Sequence, residues 1–296
     1  MAKFAADAEP GLARLIQREP PMNLLHPMIL RVTAAMLGFM LSVSFAGVAD
    51  AESPVMSARD LAASLSARRD GTSDVRLRLE VKQPSGATKI ALQLQIKQRR
   101  TKAAADIVYQ VLWPKERKGE AVLLHQVDGR PPTGSLFMPP DKLRSLDASQ
   151  MNEALFGSDL SYQDVIENFF AWENQVIVGN EEVNRVSCVV LESKPGKGES
   201  SPYGSVRSWI DPGRLVPLRV EIYLPSGGLA RRIETTRVAT DDKGRFIPAN
   251  LTVRGSREDS VTELDGSRIK HDMAYADREF TPEGLKEASP PSSAPE

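Results

Sequence analysis

One cysteine in 296 residues, Cys188, leaves no intramolecular disulfide to form, so stability must come from packing. Histidine is nearly as scarce. Of the three in the chain, His125 and His271 stand near no other His or Cys at metal-ligand spacing, so the sequence predicts no metal site and no cofactor. An excess of basic charge is missing too: 38 Lys and Arg face 39 Asp and Glu. Nothing draws such a chain toward a phosphate backbone, and nucleic acid is not a predicted partner. A long membrane-spanning run is also lacking, for the most apolar stretch, residues 32–48, is short and carries Thr33, Gly38, Ser42 and Ser44.

That stretch has the pattern of an export leader. Arg31 precedes it, and Leu37, Phe39, Met40, Leu41 and Phe45 supply its apolar body. Ala49 and Ala51 fill the −3 and −1 positions of a cut before Glu52. Cleavage there predicts a soluble periplasmic protein; a retained anchor is the alternative. A lipidation signal would need Cys where Glu52 stands. Residues 1–21 mix charges with Pro10, Pro20 and Pro21, and Met22 is an alternative start. The expected organisation is an N-terminal extension plus signal peptide over 1–51, one domain over 52–287, and a Pro- and Ser-rich disordered tail over 288–296.

Behind the cut, Ser57, Asp60, Leu61 and Leu65 predict a short capped helix ending near Asp70-Gly71. Alternation then begins. Val75, Leu77, Leu79 and Val81 point one way while Arg76, Arg78, Glu80 and Lys82 point the other, the period of a half-buried strand. After the turn Pro84-Ser85-Gly86, Ile90, Leu92, Leu94 and Ile96 alternate with polar residues, and Ile107, Tyr109, Val111 and Trp113 form a third run stopped by Pro114. Residues 121–127 and 136–138 are further strands. Between 141 and 172 the period turns helical, clearest at Tyr162, Val165, Ile166 and Phe169, with Ser161 and Asp164 in a capping arrangement; one or two helices are expected there. Strands resume at 175–178, 184–192, 206–210, 218–224, 230–238, 246–254 and 261–272. The whole predicts a mainly β domain of about ten strands, antiparallel because its links are short, interrupted once by helices. So long a sheet must curl or close to manage its edges.

The segment Phe156-Gly157-Ser158-Asp159-Leu160-Ser161-Tyr162-Gln163-Asp164-Val165 resembles a signature of the LolA-like outer-membrane lipoprotein-sorting proteins, matching at Gly157, Ser158, Asp159, Tyr162 and Asp164. Other pieces follow in the family's order: Trp113-Pro114 with Lys118-Gly119-Glu120-Ala121, Phe137-Met138-Pro139, Trp209-Ile210-Asp211-Pro212 with Leu218-Arg219-Val220-Glu221, and Phe280-Thr281-Pro282-Glu283-Gly284-Leu285. One departure is Ser135, in the neighbourhood where members carry Trp. The resemblance implies a single curved antiparallel sheet, an incomplete β-barrel, whose concave apolar face is covered by two or three helices and holds acyl chains. It implies a periplasmic, non-enzymatic carrier or chaperone for the acyl chains of lipoproteins or other lipid, with an inner-membrane transporter or exporter as a further partner and only transient membrane contact. The alternative is an interaction or sensory module that binds a membrane transporter without carrying lipid.

Such a carrier needs a dry surface. At roughly 0.8 kcal/mol per methylene, a chain of about sixteen carbons leaves a bilayer only if about 12 kcal/mol is recovered. At about 25 cal/mol per Å² that is on the order of 500 Å² of contact. The expected lining is Leu77, Leu79, Val81, Ile90, Leu92, Leu94, Ile96, Tyr109, Val111, Trp113 and Met138 from the first strands, with Tyr162, Val165, Ile166 and Phe169 from a helical lid; an ordinary core is the competing account of each residue. Ser158 could be a nucleophile, but neither His125 nor His271 lies in a recognisable elbow motif, so a turn-organising role is expected. Cys188 is expected to be buried and inert and His125 structural. Arg99-Arg100 and Arg231-Arg232 are expected as solvated charges or as contacts to anionic lipid or a transporter.

Overall fold

The computed structural model describes residues 56–255 and 259–287. The leader with Ala49 and Ala51, both candidate starts and the tail 288–296 lie outside the described residues. After helix α1 (Ala58–Ala67) come strands β1 (Gly71–Lys82), β2 (Thr88–Arg100), β3 (Ala104–Trp113), β4 (Ala121–Val127), β5 (Thr133–Met138) and β6 (Lys142–Leu146). A connecting region holds α2 (Tyr162–Ile166) and three short 3-10 turns. Then follow β7 (Asn174–Val183), β8 (Val186–Lys194), β9 (Ser205–Asp211), β10 (Val216–Tyr223), β11 (Leu229–Thr240), β12 (Phe246–Gly255), β13 (Val261–His271) and α3 (Pro282–Lys286).

All thirteen strands belong to one antiparallel sheet in the order β6-β5-β4-β3-β2-β1-β13-β12-β11-β10-β9-β8-β7. Every neighbour is also a neighbour in sequence except β1 and β13, which join two meanders at the middle, pairing Val75 with Ile269 and Leu79 with Leu264. β6 and β7 each have one partner, so the sheet does not close into a barrel. Turn chemistry explains the tight links. Asn184 and Arg185 adopt φ of 51° and 65°, the left-handed pair of a two-residue hairpin between Val183 and Val186. On β13, Gly266 faces the β1 irregularity, where an added Cβ would lie 2.5 Å from the Leu77 Cβ.

The expected total of about ten strands is corrected to thirteen among the described residues: each of the twelve alternating runs is a strand, and one more is added. The added element is β6, inside a stretch expected to be helical: Leu143, Arg144, Ser145 and Leu146 pair with Phe137, Leu136, Ser135 and Gly134 of β5. Being an edge strand with Lys142 and Arg144 among its residues, it has little apolar alternation to announce it. The helix expected beyond it is one short α-helix among 3-10 turns at Ala148–Gln150, Leu155–Gly157 and Phe169–Ala171.

One face of the sheet is covered by α1 and by residues 151–170, the other by the C-terminal segment. On that second face Phe280 and Leu285 pack with Val108, Ala121, Leu123 and Phe137. Arg99 lies over the Phe280 ring at 4.6 Å and pairs with Asp106 and Asp277, both at 2.6 Å. Among the described residues, no helix is long and apolar enough to cross a membrane.

Candidate functional site

The cover begins with α1, where Ser57 Oγ accepts from the Asp60 amide at 3.1 Å and the apolar stripe Leu61, Ala62 and Leu65 packs with Phe170, Leu191 and Ile210. Two arginines at its end tie it down. Arg68 donates to the carbonyls of Arg214 (3.1 Å) and Phe246 (2.7 Å), reaching the turn before β10 and the first residue of β12. Arg69 Nη1 donates to the Glu167 carbonyl (2.8 Å) and to Asn168 Oδ1 (3.2 Å), joining α1 to the second part of the cover; Asn168 returns a bond to Ser66 Oγ at 2.9 Å. Burial holds both guanidinium pKa values below the ordinary arginine value, and Arg245 adds to the effect at Arg68.

The Gly157-Ser158-Asp159 motif fastens that second part to the sheet. Phe156 and Gly157 take φ of 52° and 85°, and a Cβ at Gly157 would come within 3.0 Å of the Ile90 side chain. Ser158 Oγ bonds only locally, to the amide and carbonyl of Leu160, and so organises the turn. Asp159 accepts from Ser260 and Thr262, both at 2.6 Å, and thereby hangs the loop on β13 and the residue before it. Ser161 and Asp164 form the expected capping box, with bonds of 3.1 and 2.7 Å. The fully buried Asp164 side chain also accepts from Tyr203 and pairs with Arg231 at 3.2 Å. Burial, and then the Asp164 charge, push the Tyr203 pKa upward. Glu167, another buried carboxylate, accepts from Gln163, Trp172 and Ser201, yet burial raises its pKa.

Between this cover and the sheet lies a cavity of about 420 Å³. Its apolar wall comes from Leu65, Phe169 and Phe170 above and from Val75, Val220, Ile233, Leu251 and Ile269 on the sheet. Polar groups join it at Arg68, Arg69, Asp70, Asp241, Arg245 and His271. Asp241, Asp242 and His271 bring three metal-type donor atoms within 4.8 Å of one another, but the Arg245 guanidinium bonds both Asp241 (2.9 Å) and His271 (2.7 Å) and puts a fixed positive charge there.

Of the expected lining, only Phe169 borders this cavity. Leu79, Val81, Leu92, Leu94, Tyr109, Val111, Tyr162 and Ile166 are buried with Met151, Leu155 and Phe156 in one packed cluster, and Leu77, Ile90, Ile96 and Val165 pack against it. Burial there pushes the Tyr109 pKa up to about 12. Trp113 and Met138 face solvent at 52% and 38% exposure. The hollow lies beside the expected one, against β10 to β13 and the start of β1. Its sheet residues fall in runs legible as strands, but nothing in their alternation marks them off from Leu79 or Leu92. The arginine pairs are engaged internally: Arg99 with the C-terminal segment, Arg100 buried with a bond to the Ile166 carbonyl, Arg231 with Asp164 and Arg232 with Glu221. Cys188 is buried, and His125 bonds to Asp106.

A family model described as "-like: Uncharacterized protein" matches residues 105–287. The chain belongs to that family. No curated protein matches this chain. Among solved structures, a DUF1329 family protein from Desulfovibrio piger aligns with a TM-score of 0.70 at 20% identity, over 77% of this chain and 97% of its own. A domain named for outer membrane lipoprotein sorting, from Vibrio parahaemolyticus, aligns with a TM-score of 0.67 at 19% identity, over 76% and 97%. A LolA superfamily protein from Nitrosomonas europaea gives 0.62 at 19%, over 77% and 98%. At these identities the likeness is one of fold, and the fold of this family member is LolA-like: a single large antiparallel sheet, unclosed, with few helices.

Proposed function

We propose that this protein is a non-enzymatic periplasmic carrier that shelters acyl chains of lipoproteins or other lipids as they pass between two envelope membranes. The observation that carries the proposal is the cavity of about 420 Å³, with its apolar wall, between the sheet and a cover held by the apolar stripe of α1 and by hydrogen bonds. Burying hydrocarbon there offsets what a chain loses on leaving a bilayer, roughly 0.8 kcal/mol per methylene. The cover, α1 with residues 161–172, moves aside as cargo enters, and an inner-membrane transporter hands the cargo over.

Native mass spectrometry of protein released gently from the periplasm tests this. A mass increment of lipid size is expected, together with altered hydrogen exchange in α1 on loading. Protein that carries no lipid, binds no acyl probe and keeps α1 equally protected throughout overturns the proposal. A stoichiometric protein partner over an empty cavity supports the interaction module instead.

A further inference from the structure

We infer that the cavity takes one hydrocarbon chain with a carboxylate head, a free long-chain fatty acid, and that Arg69 receives the head. The inference rests on the carrier reading and narrows its cargo. Volume sets the chain number. At roughly 30 Å³ for a water-sized group, a cavity of about 420 Å³ holds about fourteen methylenes, one acyl chain. The neighbouring half of the covered face cannot extend the space, because Met151, Leu155, Phe156 and Tyr162 fill it. A second or third chain on one lipid would have to lie outside it.

Charge sets the head. Among the described residues, Asp241 is paired with Arg245 and Asp164 with Arg231, whereas neither Arg68 nor Arg69 forms an ion pair. Arg68 spends its guanidinium on backbone carbonyls. Arg69 bonds to the cover through Nη1 alone, which leaves its Nε and Nη2 edge, the two-pronged face that matches the two oxygens of a carboxylate. Both arginines border the cavity, and burial holds both guanidinium pKa values below the ordinary arginine value, against the opposing pull of the Glu167 and Asp70 carboxylates at Arg69. Glu167 and then Asp70, which also border the cavity, are the carboxylates that compete for that edge.

Displacement of a fluorescent acyl probe from the full chain tests the inference with palmitate, hexadecanol, dipalmitoyl phosphatidylglycerol and a tripalmitoylated peptide. Palmitate is expected to bind at least tenfold more tightly than hexadecanol, and the two- and three-chain lipids more weakly still. Hexadecanol equal to palmitate removes the carboxylate, and tighter binding by either multi-chain lipid removes the single chain. If none of the four binds, the carrier reading falls as well. In Arg69→Gln the palmitate preference should collapse toward one with hexadecanol binding retained; a preference that persists in this variant overturns the role of Arg69. The wild-type comparison stands even if the variant does not fold.

Discussion

The two halves of the covered face share one alternating pattern and end in opposite states. Over β1 to β4, the side chains of Met151, Leu155, Phe156, Tyr162 and Ile166 press between Leu79, Leu92, Leu94 and Val111 and leave a closed core. Toward β10 to β13, the cover offers Leu65, Phe169 and Phe170, while Arg68 and Arg69 extend to backbone carbonyls, and about 420 Å³ stays empty. The sheet is alike in both halves; the cover is what differs. Alternation tells which side chains leave water, and the residues laid over them decide whether they meet a partner or a hollow.

The largest test of this contrast removes bulk from the packed half. Leu92→Ala should lower stability by about 2–5 kcal/mol in a denaturant titration while leaving acyl-probe affinity of the folded protein within about twofold. A loss under about 1 kcal/mol would mean that this half is not packed. The converse change adds bulk to the hollow: Leu251→Trp should weaken acyl-probe binding more than tenfold and move stability by less than about 1 kcal/mol, since an empty site accepts what a filled core rejects. If affinity is unchanged, the cavity is not where the chain goes.

A smaller effect separates the α2 cap from the turn before it. Ser161→Ala removes the α2 cap and should cost about 1 kcal/mol, with faster hydrogen exchange over residues 161–167. Ser158→Ala, which loses only bonds to Leu160, should cost less than about 0.5 kcal/mol. Equal effects would show that the capping box does not hold the cover. The smallest effect is in pH. Burial raises the Glu167 pKa, so the stability contributed by its protonated form is complete below the ordinary glutamate value of about 4.3 and is lost as pH rises through the higher folded value. Glu167→Gln should flatten that fall above the ordinary glutamate value of about 4.3 in thermal melts; an unaltered slope would place the titration elsewhere.

The strands were legible because Val75 to Val81 or Ile90 to Ile96 have no other way to keep a dry face, and turn residues such as Pro84-Ser85-Gly86 cut the runs apart. β6 escaped because it pairs on backbone bonds with few apolar side chains to show for it. The motif was legible by resemblance, but its work was not: Asp159 reaches Ser260 and Thr262 about a hundred residues onward, and Asp164 reaches Arg231. Distances of that kind have no local signature. The same holds for Arg100, which reads as an exposed end of a basic pair and lies buried against the Ile166 carbonyl.

The junction of β1 with β13 has a consequence for how the molecule comes into being. The middle of the sheet is stitched from the first strand and the last, Leu79 against Leu264, so the seam between the two meanders closes the longest loop in the sheet. A chain emerging from its N-terminal end waits for β13 before that seam can form, and until then carries an unzipped, sticky border at its centre, the moment at which holding chaperones have most to protect.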